Sequence, residues 1–157
     1  MLDPVGYQMI VDNLIQNVVC HSMASKIEIC AQKNNNEVTL TIRDNGIGIS
    51  QEDVKHIFER LYKCDKGRKG TGNGLGLNIT QKLVELMKGK ISVDSVYGQY
   101  TSFVLSFLVT EIDGRELGDI TDSKNENSAI FGQVRSALTV KVKQYNSITA
   151  LAFCKCD

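Results

Sequence analysis

The apolar side chains of this chain change their spacing several times, and the order of those changes restricts the fold. Residues 5–22, VGYQMIVDNLIQNVVCHS, place apolar groups at Met9, Ile10, Leu14, Val18 and Val19, the three-to-four-residue recurrence of a helix with one buried face. Asp3 and Pro4 just ahead supply a cap and a first-turn proline. KIEICAQ and EVTLTIR then alternate apolar and polar residues on either side of KNNN, which predicts a β-hairpin. QEDVKHIF predicts a short helix, capped by Ser50 and carrying Glu52 and Asp53 in its first turn, where acids complement the helix dipole. GLGLNITQKLVELMKG restores helical spacing through Leu75, Ile79, Leu83 and Leu86, with Gly89 as its stop signal. KISVDS and TSFVLSFLV, around YGQY, predict two closing strands. Strands and helices do not alternate strictly, as a parallel βαβ fold requires. The order predicts an α/β fold: a two-layer α/β sandwich in which one mixed, mainly antiparallel sheet carries helices on one face.

From about Thr110 the pattern dissolves into EIDGRELGDITDSKNENS, polar and turn-rich, and regains apolar character only in ALTVKVKQ and SITALAF. Residues 1–109 are therefore expected to form the domain. Residues 110–157 read as a polar linker and a C-terminal tail, an edge hairpin at most. Eighteen basic residues balance eighteen acidic ones, so charge points to no nucleic-acid partner and no contact with an acidic membrane. No apolar run approaches the ~20 residues of a membrane span, and the N-terminus lacks a secretory pattern. The expected location is cytoplasmic, with the cytoplasmic portion of a membrane-bound protein equally compatible. Cys20, Cys30, Cys64, Cys154 and Cys156 are odd in number and irregular in spacing, so passive, reduced thiols are expected in place of a disulfide framework.

Three short stretches carry chemistry. Asn13 and Asn17 stand four apart and share one helical face; such a pair is either a solvated surface or a pair of oxygen donors of the kind magnesium prefers. Asp44 ends a buried strand and begins DNGIGIS. An isolated DNG is a common hairpin turn, but the second glycine exceeds what a turn needs, and an aspartate there can accept from an exocyclic amine while glycines let a flat ring approach. GTGNGLGL, residues 70–77, leads into a helix, where backbone N–H groups and the helix dipole suit a phosphate. Lys63, Lys66, Arg68 and Lys69 precede it and either meet phosphates or keep a loop solvated. GxxxxGK[ST] is absent, and a dinucleotide-binding reading of the glycines lacks its βαβ setting.

In order, DNLIQNVVCHS, DNGIGI, IFERLY and GTGNGLGL resemble the N, G1, F and G2 boxes of the ATP-binding domain of sensor histidine kinases, a branch of the Bergerat-fold ATPases. SVYGQYTSFVLSF resembles the end of that domain, so the likeness covers roughly residues 5–108. The resemblance implies that Asn17 is the magnesium ligand and the residue of catalytic importance, with Asn13 near the phosphates. It implies that Asp44 bonds the adenine amine, that Gly46 and Gly48 shape the base site, and that Thr101 sits beneath the base, reaching it through water. Phe58 and Tyr62 would anchor the lid over ATP, and Gly72, Gly74, Leu75 and Gly76 would embrace the phosphates. The implied activity is that of a protein histidine kinase, represented here by its catalytic domain: Mg-ATP binding and transfer of the γ-phosphoryl group to a histidine on a separate dimerisation and phosphoacceptor domain, with a response regulator as indirect partner. Neither His21 nor His56 lies in a sequence like that acceptor helix. Two positions depart from the family pattern: Cys20 stands where a lysine is usual, and Tyr100 where a small residue is. A serine kinase on the same fold and a non-catalytic binding module are the competing readings.

Overall fold

The computed structural model describes residues 4–34, 36–64, 73–108 and 150–155. Helix α1, Pro4–Asn17, opens on its proline, whose fixed φ and missing N–H suit a first turn. Its buried face is Ile10, Val11, Leu14 and Ile15, continued by Val18; of the expected stripe Met9, Ile10, Leu14, Val18 and Val19, Val19 packs against the core and Met9 alone turns outward, 47% exposed. The helix then changes hydrogen-bond register. Val18–Ser22 form a π-helical turn that ends at Met23, whose φ of 54° is left-handed.

Strands β1, Lys26–Asn34, and β2, Glu37–Asp44, make the expected antiparallel hairpin, pairing Ile29 with Ile42 and Ile27 with Asp44. Helix α2 is the single turn Gln51–Val54, shorter than QEDVKHIF predicts, and is capped by Ser50 as expected. Helix α3, Gly76–Leu86, leads to β3, Lys90–Val96, and β4, Tyr100–Leu108. Strand β4 lies between β3 and β2, both antiparallel to it. With Ala150–Lys155 as β5, the sheet order is β3-β4-β2-β1-β5, so the mainly antiparallel mixed sheet is as expected. Its fifth strand, Ala150–Lys155, runs parallel to β1. SITALAF therefore does supply an edge strand, while its proposed partner ALTVKVKQ lies outside the described residues.

Ile27, Ile29, Leu40, Ile42, Phe103, Leu105 and Phe107 are buried and share one core with Ile10, Leu14, Ile15, Val18 and Val84 from the helices. Each such side chain contributes roughly 1.5–3 kcal/mol by leaving water. The stripe of α3 differs from expectation: Thr80 and Val84 are buried, with Leu77, Leu83 and Met87 packed alongside, whereas Ile79 is 40% and Leu86 79% exposed. The end of α3 differs too. Lys88 takes the left-handed turn, with φ 56°, and Gly89 is needed for space, because a Cβ there would lie 2.6 Å from the Phe107 ring.

Tyr100 is accommodated because Gly98 takes the turn's positive φ. The tyrosine ring lies under the Arg43 guanidinium, 4.0 Å from the centroid, and its hydroxyl donates to Asp94 Oδ2 at 2.7 Å. Cys20 and Cys64 are in no disulfide, as expected of reduced thiols. Cys30 departs from that expectation and is disulfide-bonded. No described helix is long and apolar enough to cross a membrane.

Candidate nucleotide-binding site

Asp44 ends β2 with its side chain turned under the sheet's end, 3% exposed. Its Oδ1 accepts from Gly46 N at 2.8 Å. Burial pushes the carboxyl above the ordinary carboxylate range, and the Gly46 N–H and the Ser22 hydroxyl pull it partly back. Ser22 has one proton and two acceptors beside it: it donates to Val18 O at 2.7 Å, so its support of the carboxylate competes with closing the π turn.

The following loop is stitched on both sides. Ile47 N donates to Ser22 O at 2.7 Å and Gly98 N donates to Ile47 O at 2.6 Å. This explains the glycines. A Cβ at Gly46 would stand 2.2 Å from Ser22 O, and one at Gly48, where φ is +66°, would stand 2.1 Å from Val96 O. The space they leave is thus filled by protein backbone, which presses the loop against the π turn and the β3–β4 turn.

Across the sheet, Thr101 lies directly opposite Asp44 in the β2–β4 register and is 4% exposed. Its hydroxyl is 3.2 Å from Ser95 Oγ. Ser95 spends its proton on Tyr100 O at 2.7 Å and accepts from Ile49 N at 2.8 Å, leaving Thr101 as the donor between the two hydroxyls. Asp44, Ser22, Ser95 and Thr101 are thus four buried polar side chains at one end of the sheet. Sequence reasoning identified Asp44 and Thr101. It missed Ser22 and Ser95, for which neither periodicity nor turn chemistry gives a signal.

Asn13 and Asn17 lie on α1, both partly exposed, and neither amide has a hydrogen-bond partner among the described residues. Asn17 is the last α-helical residue before the π turn, and π turns re-aim side chains that a regular helix would carry past the site. Among the described residues no group of three or more His, Cys, Asp or Glu could hold a metal; amide oxygens are the donors present, and they fit a hard cation that keeps most of its water. Cys20 and His21 are exposed, so His21 neither packs in the core nor lines a buried wall.

Phe58 packs against the core, and its carbonyl accepts from Asn78 Nδ2 at 2.8 Å. Tyr62 donates to Asp53 Oδ1 at 2.6 Å, and that bond raises the phenol to about 12. Gly74, with φ +65°, takes the other side of the same joint: its carbonyl accepts from Leu61 N at 2.9 Å, and a Cβ on it would stand 2.8 Å from Tyr62 O. Helix α3 begins after Leu75, which makes no side-chain cap bond, and the N–H groups of its first turn, which have no side-chain partner among the described residues, point out of its end. A Cβ at Gly76 would meet nothing within 4 Å. Gly72, Lys66, Arg68 and Lys69 lie outside the described residues.

The family profile described as histidine kinase-, DNA gyrase B- and HSP90-like ATPase matches residues 2–111. The chain belongs to this ATPase family. Within it, the chain is 43% identical over 96 residues to the signal transduction histidine-protein kinase ArlS of Staphylococcus haemolyticus, covering 59% of this chain and 21% of that protein. It is 39% identical over 117 residues to the sensor protein kinase WalK of the same organism, covering 71% of this chain and 19% of that protein. The autoinducer 2 sensor kinase/phosphatase LuxQ of Vibrio vulnificus is 33% identical over 161 residues and covers 98% of this chain and 19% of itself, so that likeness runs past residue 109. The chain thus spans about a fifth of the length of these relatives. Among solved structures, the mycobacterial sensor histidine kinase MprB superposes with a TM-score of 0.59 at 23% identity, over 68% of this chain and 74% of that one. The Acinetobacter baumannii histidine kinase AdeS gives 0.56 at 24%, over 69% and 48%. These two likenesses show the fold alone.

Proposed function

We propose that this chain is the ATP-binding catalytic domain of a two-component sensor histidine kinase, which binds Mg-ATP and passes the γ-phosphoryl group to a histidine on a separate dimerisation domain. The observation that carries the reading is the buried Asp44 carboxylate at the end of β2, opposite Thr101 and held by Gly46. It is an acceptor withheld from water at one end of a site whose other end offers amides and a helix N-terminus that have no side-chain partner among the described residues. That polarity suits a molecule with an amine at one end and phosphates at the other.

In this reading Asp44 accepts from the adenine amine and Thr101 lies under the base. Gly46 and Gly48 hold the loop close enough to flank it. Asn17, with Asn13 beside it, would hold magnesium, which supplies charge neutralisation to the phosphates. The first turn of α3, from Leu75 and Gly76 with Gly74 and Gly72 ahead, receives phosphate oxygens on its N–H groups. Phosphoryl transfer needs chiefly positioning and charge neutralisation, so this chain's part is to fix the nucleotide, and the acceptor comes from the partner domain. The response regulator is reached only through that domain, and a cytoplasmic location follows from the same reading.

The test is to incubate the chain with labelled Mg-ATP and a purified dimerisation domain of a related sensor kinase. Acid-labile, base-stable label on that domain is expected; acid-stable label would transfer the assignment to a serine kinase. Binding of Mg-ATP without any label would favour a non-catalytic module, a reading that the exposed Cys20 in place of a lysine keeps in view.

A further inference from the structure

We infer that Asp53, a residue of α2, is a positioning residue that fixes Tyr62 and, through it, the joint between Leu61 and Gly74, tying that joint to the loop that carries the base site. Both oxygens of Asp53 are committed. Oδ2 accepts from Ser50 Oγ at 2.6 Å and Oδ1 accepts from Tyr62 OH at 2.6 Å, and Asp53 N donates back to Ser50 Oγ at 3.1 Å. Helix α2 is only one turn long and has no buried residue, so the carboxylate does more than its cap requires. It links two segments nine residues apart that share no helical face.

The joint needs an external hold. Leu61 has φ +66°, a backbone conformation that L side chains rarely adopt, and its side chain is 63% exposed, so packing does not enforce it. What holds it is the bond from Leu61 N to Gly74 O and the anchoring of the next residue, Tyr62, whose ring also stands 5.4 Å from the His56 ring. His56 in turn meets Glu59 Oε1 at 2.7 Å. On its other side, the Ser50–Asp53 cap begins one residue after Ile49, whose N–H donates to Ser95. Gln51 Nε2 donates to Ser95 O at 2.8 Å, and Ser95 touches Thr101 opposite Asp44. Hydrogen bonds joined by short stretches of backbone therefore run from Thr101, opposite the buried carboxylate, to Gly74, two residues before α3.

The inference rests on the nucleotide reading only for its second readout. In the full chain, the amide exchange of Leu61 is measured by NMR in Tyr62→Phe, Asp53→Ala, Asp53→Asn and the Asp53→Ala/Tyr62→Phe double variant, with the Ile42 amide of β2 as a reference for global folding. Loss of one charge-assisted bond should speed Leu61 exchange by about tenfold. The double variant should be no faster than either single one, and Asp53→Asn, which keeps an acceptor, should recover part of the protection. Unchanged Leu61 exchange, additive single effects, or an equal acceleration at Ile42 would overturn the inference. In the same variants Mg-ATP affinity should fall by about three- to tenfold while adenosine affinity holds; an equal loss for adenosine would overturn the assignment to the joint. If the unmodified chain binds neither ligand, the nucleotide reading fails and the exchange data still decide the role of Asp53.

Discussion

The two ends of the site are built in opposite ways. At the Asp44 end, polar groups are buried and satisfied by one another: the carboxylate by Gly46 N, Ser95 by Ile49 N and Tyr100 O, and Thr101 by Ser95. At the Asn17 end, the amides of Asn13 and Asn17 have no partner among the described residues, Cys20 is exposed and α3 begins without a side-chain cap. The first end is pre-organised and stays formed without ligand, because breaking it would strand buried polar atoms. The second has no such partners among the described residues, and under the proposed function it is completed by charge that a ligand brings. Base selection should therefore tolerate salt, whereas phosphate affinity should decline with it.

The sharpest break is expected at the rigid end. Gly48→Ala puts a methyl group against Val96 O at a positive φ, and should cost about 3 kcal/mol of stability, read as a lower urea midpoint. Next, Asp44→Asn should lower ATP affinity by about a hundredfold, the worth of a charge-assisted bond in a dry site, by calorimetry. The same variant should melt at a higher temperature near neutral pH. The sign follows from burial raising the Asp44 carboxyl: the native state prefers the protonated acid, so the ionised form costs stability above the unfolded value. That cost fades as pH falls through the raised one. The gap in melting temperature between Asp44→Asn and the unmodified chain should accordingly narrow in acid.

Two smaller effects concern the open end. Asn17→Ala should weaken Mg-ATP by about tenfold, the loss of one metal-ligating oxygen and its orientation, while adenosine binding and the melting temperature hold. Cys20→Lys should strengthen Mg-ATP about threefold at low salt, as expected of an exposed charge contact, and the gain should shrink at high salt. If Asn17→Ala instead weakened adenosine equally, the division of the site into two ends would be lost.

The sequence made the rigid end partly legible because strand alternation ends at Asp44 and two glycines follow it, both local signals. Ser50 was likewise readable as a cap from the acids that follow it. The π turn was not, because it depends on which carbonyl each N–H of Val18–Ser22 chooses, and Ser22 decides that through Val18 O. The buried face of α3 was misplaced because apolar residues occupy both candidate stripes, and packing at Thr80 and Val84 selects between them. The Asp53–Tyr62 bond and the parallel pairing of β5 with β1 join residues with no periodic relation. The disulfide at Cys30 is likewise not encoded in cysteine spacing.

The most direct test of the central claim, a preformed base site that reads adenine through Asp44, is a calorimetric titration with Mg-ATP of the unmodified chain and of Asp44→Asn. The account predicts saturable binding to the former and its near loss in the latter, with the variant's fold intact by circular dichroism. No binding by the unmodified chain at millimolar Mg-ATP, or equal binding by both proteins, would contradict it.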